Sequence, residues 1–428
     1  MKVYLIHPDP HWDKNKKLKK RTSLFPPLGL LQVAALTPSD IEVKLTDEAV
    51  EDIDFDSDAD LVGISFNTAS AIRAFQVAEE FRKRGKKVVV GGAHPTMMPE
   101  ECAQYADSVV IGEAECSWHR VLQDFKKGKL EKFYRCDGFP SLENLPIPRR
   151  DLLDPKKYAV FWTIQTTRGC PFNCDFCSVT RFFGRTYRTR PIREVIKEVE
   201  SIESKFLIFV DDNILGIPQY ARELFKELTP LKKIWLSQGS LNAAKDEELI
   251  KLAAKAGCRG LFIGFESVSE ECLKEVGKRH NIVEEYRNRI KLLHHYGIAI
   301  IGAFIFGFDH DDKDVFKRTV DFVYREKIDM PQFSILTPLP GTALYERWDK
   351  EGRIFTKDWA KYTGNHCVYY PKNMTREELE AGLRWAYKEA NGFLHLARRS
   401  LCFSKRFPIS FLLNYYFHRV VKRWLRTT

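Results

Sequence analysis

Two successive alternations of apolar runs with helical patterns do most to limit the possible folds of this chain. In residues 1–140 each short apolar run is followed by a stretch with apolar positions at helical spacing, as in Ala71–Gly85. This alternation predicts an α/β fold with a parallel, doubly wound (Rossmann-like) sheet, which binds ligands beyond the carboxyl ends of its strands. The predicted strands lie in KVYLIHP, IEVKLTD, ADLVGISF, KKVVVGGAHP and ADSVVIGEAE.

The second alternation predicts a separate α/β domain. Residues 141–158 form the predicted linker, because Phe139–Tyr158 contains four prolines and no periodic pattern. Six strand-like runs separated by helical patterns follow in 159–345, which predicts a partial (β/α)6 barrel with its chemistry at the strand ends. Polar residues stop several of these runs: Asp211, Asp212, Asn213, Ser237, Gln238, Glu266, Ser267 and Asp309.

Residues 346–428 are predicted to form a mostly helical extension. Thr375 and Glu378 have the spacing of a capping box at the start of a helix that extends to Arg399. The chain ends in a basic, aromatic segment. This segment either docks on the barrel as a helix or lies on a membrane surface with Lys and Arg opposite Phe, Leu and Trp.

The composition predicts a cytoplasmic protein with reduced thiols. The longest uncharged apolar run, Ile298–Phe308, is too short to cross a bilayer, and the amino terminus lacks the pattern of a signal peptide. The ten cysteines are too sparse for a secreted disulfide scaffold. Cys136 and Cys258 are expected to be lone thiols in apolar surroundings.

The net charge of +10 is concentrated near the two ends of the chain. Lys14–Arg21 forms one basic block, and His395–Thr428 contains eight Lys or Arg and no Asp or Glu. No recognition motif for nucleic acid accompanies these blocks, so no nucleic-acid partner is predicted.

Three cysteines in a CxxxCxxC spacing follow the first strand of the second domain. Cys170, Cys174 and Cys177 can gather on one loop to hold a soft metal or an iron–sulfur cluster. A structural zinc site needs four ligands, and the chain has no second closely spaced cysteine pair. A 4Fe–4S cluster on three cysteines would leave one iron open for a small molecule.

The motif RGCPFNCDFC resembles the cluster motif of the radical S-adenosylmethionine (SAM) enzymes, including the aromatic Phe176 before the last cysteine. The resemblance implies that SAM chelates the open iron and is cleaved to a 5′-deoxyadenosyl radical, which removes hydrogen from unactivated C–H bonds. It also implies that SAM-binding positions lie at the strand ends. These are Phe176, Asp212, Asn213, Gln238, Glu266, Gly302, Gly307, Leu336 and Pro338.

The phrases PPLGLLQVAAL, GGAHPT and VVIGEAE resemble the cobalamin-binding class of these enzymes, with an architecture like that of hopanoid methylases. Asp9 and His11 match part of a DxHxxG cobalt-ligand motif, but Lys14 replaces its glycine, which puts ligation of cobalt by His11 in doubt. His94 is an alternative neighbour of the corrin. The implied cobalamin positions are His11, Pro27, Leu28, Gly29, Ser65, Asn67, Gly91, Gly92, His94, Gly112 and Glu113.

The resemblance implies an anaerobic C-methyltransferase that transfers a methyl group from methylcobalamin to a substrate radical. A cobalamin-dependent radical cyclase or rearrangement enzyme, and a non-catalytic iron–sulfur or cobalamin sensor, remain alternatives. Methylthiolation is rejected, because only Cys102, Cys116 and Cys136 precede the motif and all lie late in the domain. The implied partners are a small-molecule or lipid substrate and a one-electron donor such as a flavodoxin or ferredoxin.

Overall fold

A six-stranded parallel sheet forms the first part of the molecule. The computed structural model describes residues 1–11, 22–392 and 406–425. The strands of this sheet are β1 (Lys2–His7), β2 (Glu42–Asp47), β3 (Leu61–Ser65), β4 (Lys87–Gly91), β5 (Ser108–Ile111) and β6 (Phe133–Arg135). The strand order β2-β1-β3-β4-β5-β6 reverses direction next to β1, as in a doubly wound sheet. The prediction of a doubly wound α/β domain is therefore confirmed.

Helices cover this sheet and bury its apolar strands. Tyr4 in β1 is fully buried and packs edge-on against Phe81, which lies in the helix between β3 and β4. Such strands are apolar on both faces, which explains why they were visible in the sequence. The helices are α1 (Leu28–Leu36), α2 (Ala71–Lys83), α3 (Ala93–Met97), α4 (Pro99–Tyr105) and α5 (Trp118–Lys126).

A second sheet of six parallel strands confirms the predicted partial barrel. Its strands are β7 (Thr163–Ile164), β10 (Phe206–Phe209), β11 (Ile234–Gln238), β12 (Cys258–Glu266), β13 (Ala299–Phe306) and β14 (Met330–Ile335). They follow one another in chain order, from β7 at one edge of the sheet to β14 at the other. The associated helices are α6 (Ser178–Phe183), α7 (Ile192–Glu200), α8 (Pro218–Leu228), α9 (Glu247–Lys255), α10 (Glu270–Glu275), α11 (Tyr286–His295) and α12 (Val315–Arg325).

Three short strands were not predicted. β6 extends the first sheet, and β8 (Thr167–Gly169) pairs with β9 (Tyr187–Thr189) as an antiparallel hairpin. Each contains only three residues, which is too few for a periodic pattern to be recognised. The hairpin matters for function, because its two strands flank the segment that carries the three clustered cysteines.

The C-terminal extension is mostly helical, as expected. Its helices are α13 (Ala343–Lys350), α14 (Arg376–Ala390) and α15 (Phe407–Trp424). The predicted capping box of Thr375 and Glu378 is present at the start of α14. The helix ends at Ala390, and the rest of the predicted helix beyond 392 lies outside the described residues, as does the basic block of 14–21.

The expectation that all thiols are reduced is wrong for one pair. Cys116 and Cys136 form a disulfide with their Cα atoms 5.8 Å apart. Cys116 follows β5 and Cys136 follows β6, and these neighbouring strands bring the two residues together. Because β6 was not predicted, the pairing was missed. Cys258, in contrast, is a buried free thiol as expected.

The described helices include none that is both long enough and apolar enough to span a bilayer.

Candidate active site

The cysteine loop, residues 170–177, connects β8 to α6 and carries all three clustered thiols. It begins after Gly169, whose φ of +93° favours glycine, and α6 starts directly after Cys177. Burial raises the pKa of Cys170, Cys174 and Cys177, that of Cys174 to about 12. These partly buried thiols are therefore neutral on their own, and a bound cation would favour their deprotonation.

Two aspartates at the end of β10 hold the start of this loop. Asp211 Oδ1 accepts hydrogen bonds from the Thr166 backbone N–H at 2.8 Å, from the Thr167 hydroxyl at 2.7 Å and from the Thr167 backbone N–H. Asp212 Oδ2 accepts from the Gly169 N–H at 3.1 Å. Burial, together with the charge of the nearby Asp211, raises the pKa of Asp212 to about 7. The negative charge of the ionised Asp212 carboxylate is therefore poorly compensated by its surroundings, and a cationic ligand would stabilise it.

Asn213 presents a buried donor next to the same loop. Its Oδ1 accepts from the Ser240 N–H at 3.1 Å, whereas its Nδ2 is buried without a hydrogen-bond partner among the described residues. Asn213 is one of the groups that lower the pKa of Cys170, so it lies close to that thiol. Unpartnered buried donors are rare in folded proteins and indicate a place where a ligand can bind.

Glu266 and Lys278 form a largely buried ion pair near Cys174 of the cysteine loop. Lys278 Nζ lies 2.5 Å from Glu266 Oε1. Burial alone would lower the pKa of Lys278, but Glu266 and then Cys174 raise it above its ordinary value, so the amine stays charged. Glu266 ends β12 with a φ of +63°, which is unusual for a residue other than glycine.

The remaining strand-end positions of the barrel contact mainly other parts of the protein. Gln238 Nε2 donates to the Asp212 carbonyl oxygen at 3.1 Å. A Cβ added at Gly302 would lie 2.8 Å from Ile328 Cγ2, so close packing requires this glycine. Gly307, with a φ of +97°, accepts from the Tyr369 hydroxyl at 2.6 Å. Leu336 and Pro338 are buried, and Phe176 is partly buried against the core.

A cavity of about 280 Å³ opens at the carboxyl edge of the first sheet. Many of the residues that line it lie at the edge of this sheet, and others belong to the second domain. Glycines line the edge and leave space there, and at Gly92, with a φ of +101°, a Cβ would lie 2.8 Å from the Phe66 carbonyl oxygen. Lining residues predicted from the sequence are Leu28, Gly29, Ser65, Gly91, Gly92, Gly112 and Glu113. Lining residues that were not predicted include Trp118, Arg168, Phe182 and Phe183.

Comparisons with known proteins match both halves of this arrangement. Residues 164–323 match the radical SAM superfamily, and residues 18–119 match the B12 binding domain. The bacteriochlorophyllide d C-12(1)-methyltransferase of Chlorobaculum tepidum is 34% identical over 366 residues, which cover 82% of this chain and 80% of that protein. This chain belongs to the cobalamin-dependent radical SAM enzymes.

Two further comparisons agree with this family. The bacteriochlorophyllide d C-8(2)-methyltransferase of the same organism is 35% identical over 362 residues, which cover 80% of this chain and 79% of that protein. The radical SAM methyltransferase TsrM from Kitasatospora setae, solved with tryptophan and a SAM analogue, has the same fold. Its TM-score is 0.72 at 17% identity, with coverage of 100% of this chain and 98% of that chain.

As a radical SAM enzyme with a B12 domain, the protein uses a 4Fe–4S cluster, SAM and cobalamin, and its close relatives are C-methyltransferases. The donor set agrees with these cofactors: three soft thiols on one loop, an unpartnered Asn213 amide beside them, and a glycine-lined cavity at the other sheet edge. In the described part of the chain, no three His, Cys, Asp or Glu side chains converge closely enough to ligate a single metal ion.

Two histidines that were predicted near cobalamin have other contacts in this radical SAM enzyme. His94 is fully buried, with Nδ1 3.2 Å from the Thr68 hydroxyl and Nε2 3.2 Å from Glu101 Oε2. Glu101 also accepts from Trp359 Nε1 at 2.9 Å, so His94 belongs to a contact between the first domain and the C-terminal extension. His11 is exposed, immediately before the undescribed residues 12–21. Neither histidine lines the cavity, nor do Pro27 and Asn67.

Sequence reasoning missed the residues that reach the site from a distance in the chain. Lys278 follows α10, and its only signal was a lone lysine in a Gly-Lys-Arg-His turn. Arg168 lies two residues before Cys170, directly after the predicted strand, and no role was assigned to its side chain. Both are buried cations, and a buried cation can be inferred only once its partners are known.

Proposed function

We propose that this enzyme methylates an unactivated carbon of a rigid, largely apolar polycyclic substrate. The observation that supports this most strongly is the pair of relatives at 34% and 35% identity, whose names assign methylation at two positions of bacteriochlorophyllide d. Alkyl carbons of this kind carry no acidic proton, so acid–base side chains cannot activate them, and radical chemistry supplied by a cofactor is required.

The cluster and SAM are proposed to occupy the cysteine-loop side of the barrel. Cys170, Cys174 and Cys177 would ligate three irons, and the bound cluster with SAM supplies the oxidising power to break an unactivated C–H bond. Asp212, which lacks a cationic partner at short range among the described residues, would accept hydrogen bonds from the ammonium of SAM. The unpartnered amide of Asn213 would donate to the same ligand.

The ribose of SAM is proposed to bind next to Glu266. The carboxylate uses Oε1 for Lys278, which leaves Oε2 to accept from ribose hydroxyls. Lys278 fixes the position of this carboxylate through the ion pair. Gln238, Gly302, Gly307, Leu336 and Pro338 would border the nucleoside, and Phe176 would support the loop from the core side.

Cobalamin is proposed to bind at the glycine-lined edge of the first sheet, where it supplies the methyl group. The backbone at Gly91, Gly92 and Gly112 lines the cavity, so a large ligand can approach it closely. Phe182 and Phe183 enter the same cavity from just beyond the cysteine loop, which supports adjoining positions for the two proposed cofactor sites. Such proximity would provide the orientation that methyl transfer to a radical needs.

Product analysis after anaerobic reconstitution tests the proposal. The protein is loaded with iron, sulfide and hydroxocobalamin, reduced, and given SAM with a deuterated methyl group and bacteriochlorophyllide d or a cell lipid extract. We expect 5′-deoxyadenosine, S-adenosylhomocysteine and a product that carries the deuterated methyl. Cys170→Ala should lose all three, whereas the matched Cys258→Ala, in a buried thiol far from the loop in sequence, should retain them.

The alternatives predict different products. A cyclase or rearrangement enzyme would form deoxyadenosine without S-adenosylhomocysteine. A sensor would bind cobalamin but never cleave SAM. Either result with the loaded wild-type protein would overturn the methyltransferase proposal.

We also propose that α15 touches an anionic membrane surface on the cytoplasmic side. One face of the helix docks on the barrel through Ser410, Asn414, Phe417 and Val421, which are buried. The opposite face exposes large apolar side chains next to basic ones, and the described helix contains no acidic residue. The exposed apolar side chains are Phe411, Leu412, Tyr415, Tyr416 and Val420, and the exposed cations are Arg419, Lys422 and Arg423.

This combination supports contact with lipid, because clustered exposed apolar groups mark interaction sites and cations attract anionic headgroups. Co-sedimentation with vesicles of phosphatidylglycerol and phosphatidylcholine tests it. The double variant Phe411→Asp with Leu412→Asp should lose most of the pelleting, and Tyr370→Asp, at another exposed aromatic, should not. Equal pelleting of all three proteins would remove the proposal.

We further infer that a one-electron donor such as a flavodoxin or ferredoxin serves the cluster. Support comes from the family alone, since a cluster that cleaves SAM must be reduced in each turnover. A reconstituted enzyme that forms deoxyadenosine with reduced flavodoxin, and not with NADPH alone, would agree with this inference.

A further inference from the structure

A buried carboxylate of the first domain holds two arginines of the second. Glu113 follows β5, and its side chain is 2% exposed. Arg168 Nη1 contacts Glu113 Oε2, and Arg188 places Nη2 2.5 Å from Oε1 and Nη1 3.2 Å from Oε2. Both carboxylate oxygens therefore carry charge-assisted hydrogen bonds, the strongest class that a protein forms.

The two arginines belong to the hairpin that brackets the cysteine loop. Arg168 in β8 is the direct cross-strand partner of Arg188 in β9. Arg168 precedes Cys170 by two residues, and β9 follows α6, so the loop and its first helix lie between the two arginines in sequence. The position of the hairpin therefore determines where the cysteine loop leaves the barrel.

The hairpin depends on Glu113 for its electrostatic balance. Two cations directly opposite each other on paired strands destabilise the pair, and burial strengthens the repulsion. Arg168 has a second carboxylate, Glu115, at 2.5 Å. The other hydrogen bonds of Arg188 go to the Thr186 hydroxyl at 3.4 Å and the Pro140 carbonyl oxygen at 2.8 Å, neither of them charged. Glu113 is thus the carboxylate shared by both guanidinium groups.

The loop that carries Glu113 is itself fastened to its own domain. Cys116, three residues further along, is bonded to Cys136 after β6. Glu113 and Arg168 also both line the cavity at the edge of the first sheet. A single buried charge cluster thus joins the wall of the proposed cobalamin site to the strand that leads into the cysteine loop.

We propose that Glu113 is a positioning residue that fixes the distance between the cluster and cobalamin. This inference rests on the proposed cofactor sites. The carboxylate holds the β8–β9 hairpin against the cobalamin edge through Arg168 and Arg188. Its removal leaves the cluster and SAM cleavage in place but lets the hairpin shift relative to the first sheet. Methyl transfer, which depends on that separation, is then lost more than radical formation.

Three full-length variants test this inference. Glu113→Gln removes the charge. Arg188→Gln is milder, because it leaves Glu113 paired with Arg168, and so it guards against a failure of the first variant to fold. Arg347→Gln is the matched control: Arg347 in α13 pairs with Asp175 of the cysteine loop at 3.2 Å, but entirely within the second part of the chain.

The first measurement is pulsed dipolar spectroscopy between the reduced cluster and Co(II) cobalamin in the loaded protein. We expect one narrow distance distribution in the wild type and in Arg347→Gln, and a broadened or shifted one in Glu113→Gln and Arg188→Gln. The second is the ratio of deoxyadenosine to methylated product. A displacement of about 1 Å can reduce a reaction about 100-fold, so we expect this ratio to rise about tenfold or more in the two test variants.

The outcomes separate this inference from the proposed function. A wild type that binds no cobalamin or cleaves no SAM would refute the proposed function itself. If the wild type does both, and the test variants that fold keep the wild-type distance distribution and product ratio, Glu113 is not a positioning residue. An equal change in Arg347→Gln would likewise overturn the inference, because any disturbance of the loop would then suffice.

Discussion

Gly92 follows β4 with a φ of +101°, and a Cβ at this residue would lie 2.8 Å from the Phe66 carbonyl oxygen. Two separate effects therefore oppose a side chain here: a strained backbone conformation and a collision with backbone that cannot rotate away. Gly85, with a φ of +76° and nothing within 4 Å of an added Cβ, experiences only the first effect. The two glycines form a natural pair for comparison.

We predict that Gly92→Ala lowers the free energy of unfolding by about 2–4 kcal/mol, because backbone strain and overpacking each cost about 1–3 kcal/mol. It should also weaken cobalamin binding, since the cavity wall must shift. Gly85→Ala should cost only about 1–2 kcal/mol and leave cobalamin affinity unchanged. Urea unfolding and a cobalamin titration measure both effects, and equal costs for the two variants would contradict the collision argument.

Candidate site residues were predicted from the sequence where they belong to a short motif with characteristic spacing. The three cysteines, Asp212, Asn213 and Glu266 were all found from motifs at strand ends, and the structure brings them to one rim of the barrel; their roles as ligands remain predictions. Lys278 and the arginine partners of Glu113 were missed. The role of a buried Lys or Arg depends on the carboxylate with which it pairs. Here that carboxylate is distant in the sequence, so the pair could not be predicted from the sequence.

At the scale of elements, Asp329 fastens α15 to the barrel. It lies just before β14, and its carboxylate accepts from Arg406 Nη1 at 2.8 Å and 2.9 Å, while its carbonyl oxygen accepts from Asn414 Nδ2 at 2.7 Å. Burial alone would raise the pKa of Asp329, but His294 and Arg406 hold it below its usual range. The ionised carboxylate therefore contributes to the attachment of the last helix, in addition to the buried face of the helix.

We predict that Asp329→Asn costs about 3–5 kcal/mol, the usual loss when one partner of a buried ion pair is removed. Because the folded pKa is lowered, the stabilisation is complete above the ordinary aspartate pKa of about 4 and is lost as the pH falls through the folded value. Hydrogen exchange of α15 between pH 7 and pH 3 measures this. The wild type should lose protection of this helix on acidification, whereas in the variant the helix should already be poorly protected at pH 7.

Helices and strands with a clear hydrophobic periodicity were predicted from the sequence, whereas the three-residue strands were not. The strands of both sheets have apolar faces buried beneath helices, so their sequences carry the signal. β6, β8 and β9 have three residues each, and hydrogen bonding to neighbours defines them rather than hydrophobicity. The hairpin of β8 and β9 could have been suspected only from the two arginines that flank the cysteine motif.

Across the whole molecule, the larger of two apolar cores continues through both sheets, and the smaller one is built mainly from the first domain. The larger cluster of contacting buried side chains includes Tyr4 and Val90 of the first sheet, Phe209 and Phe304 of the second, and Tyr387 of α14. The Glu101–Trp359 hydrogen bond and the ion pairs of Glu113 add polar contacts across the same boundary. The two domains therefore have separate sheets, but they share a hydrophobic core.

We predict that thermal unfolding occurs as one cooperative transition, monitored by tryptophan fluorescence and by far-ultraviolet circular dichroism. Domains with an independent core would unfold in two steps. Trp359→Phe removes the hydrogen bond to Glu101 but keeps an aromatic ring, so it should lower the transition temperature by a few degrees without splitting it. Two resolved transitions in the wild type would show that the contact between the domains is weak.

The disulfide between Cys116 and Cys136 has a practical consequence for protein purification. The strong reductants that keep an iron–sulfur protein active can also open a disulfide, and this one anchors the loop of Glu113. A sample purified in excess thiol can thus lose this disulfide while its iron–sulfur cluster remains intact. Counting free sulfhydryls after each preparation, alongside iron, would tell whether two batches of this enzyme are the same molecule.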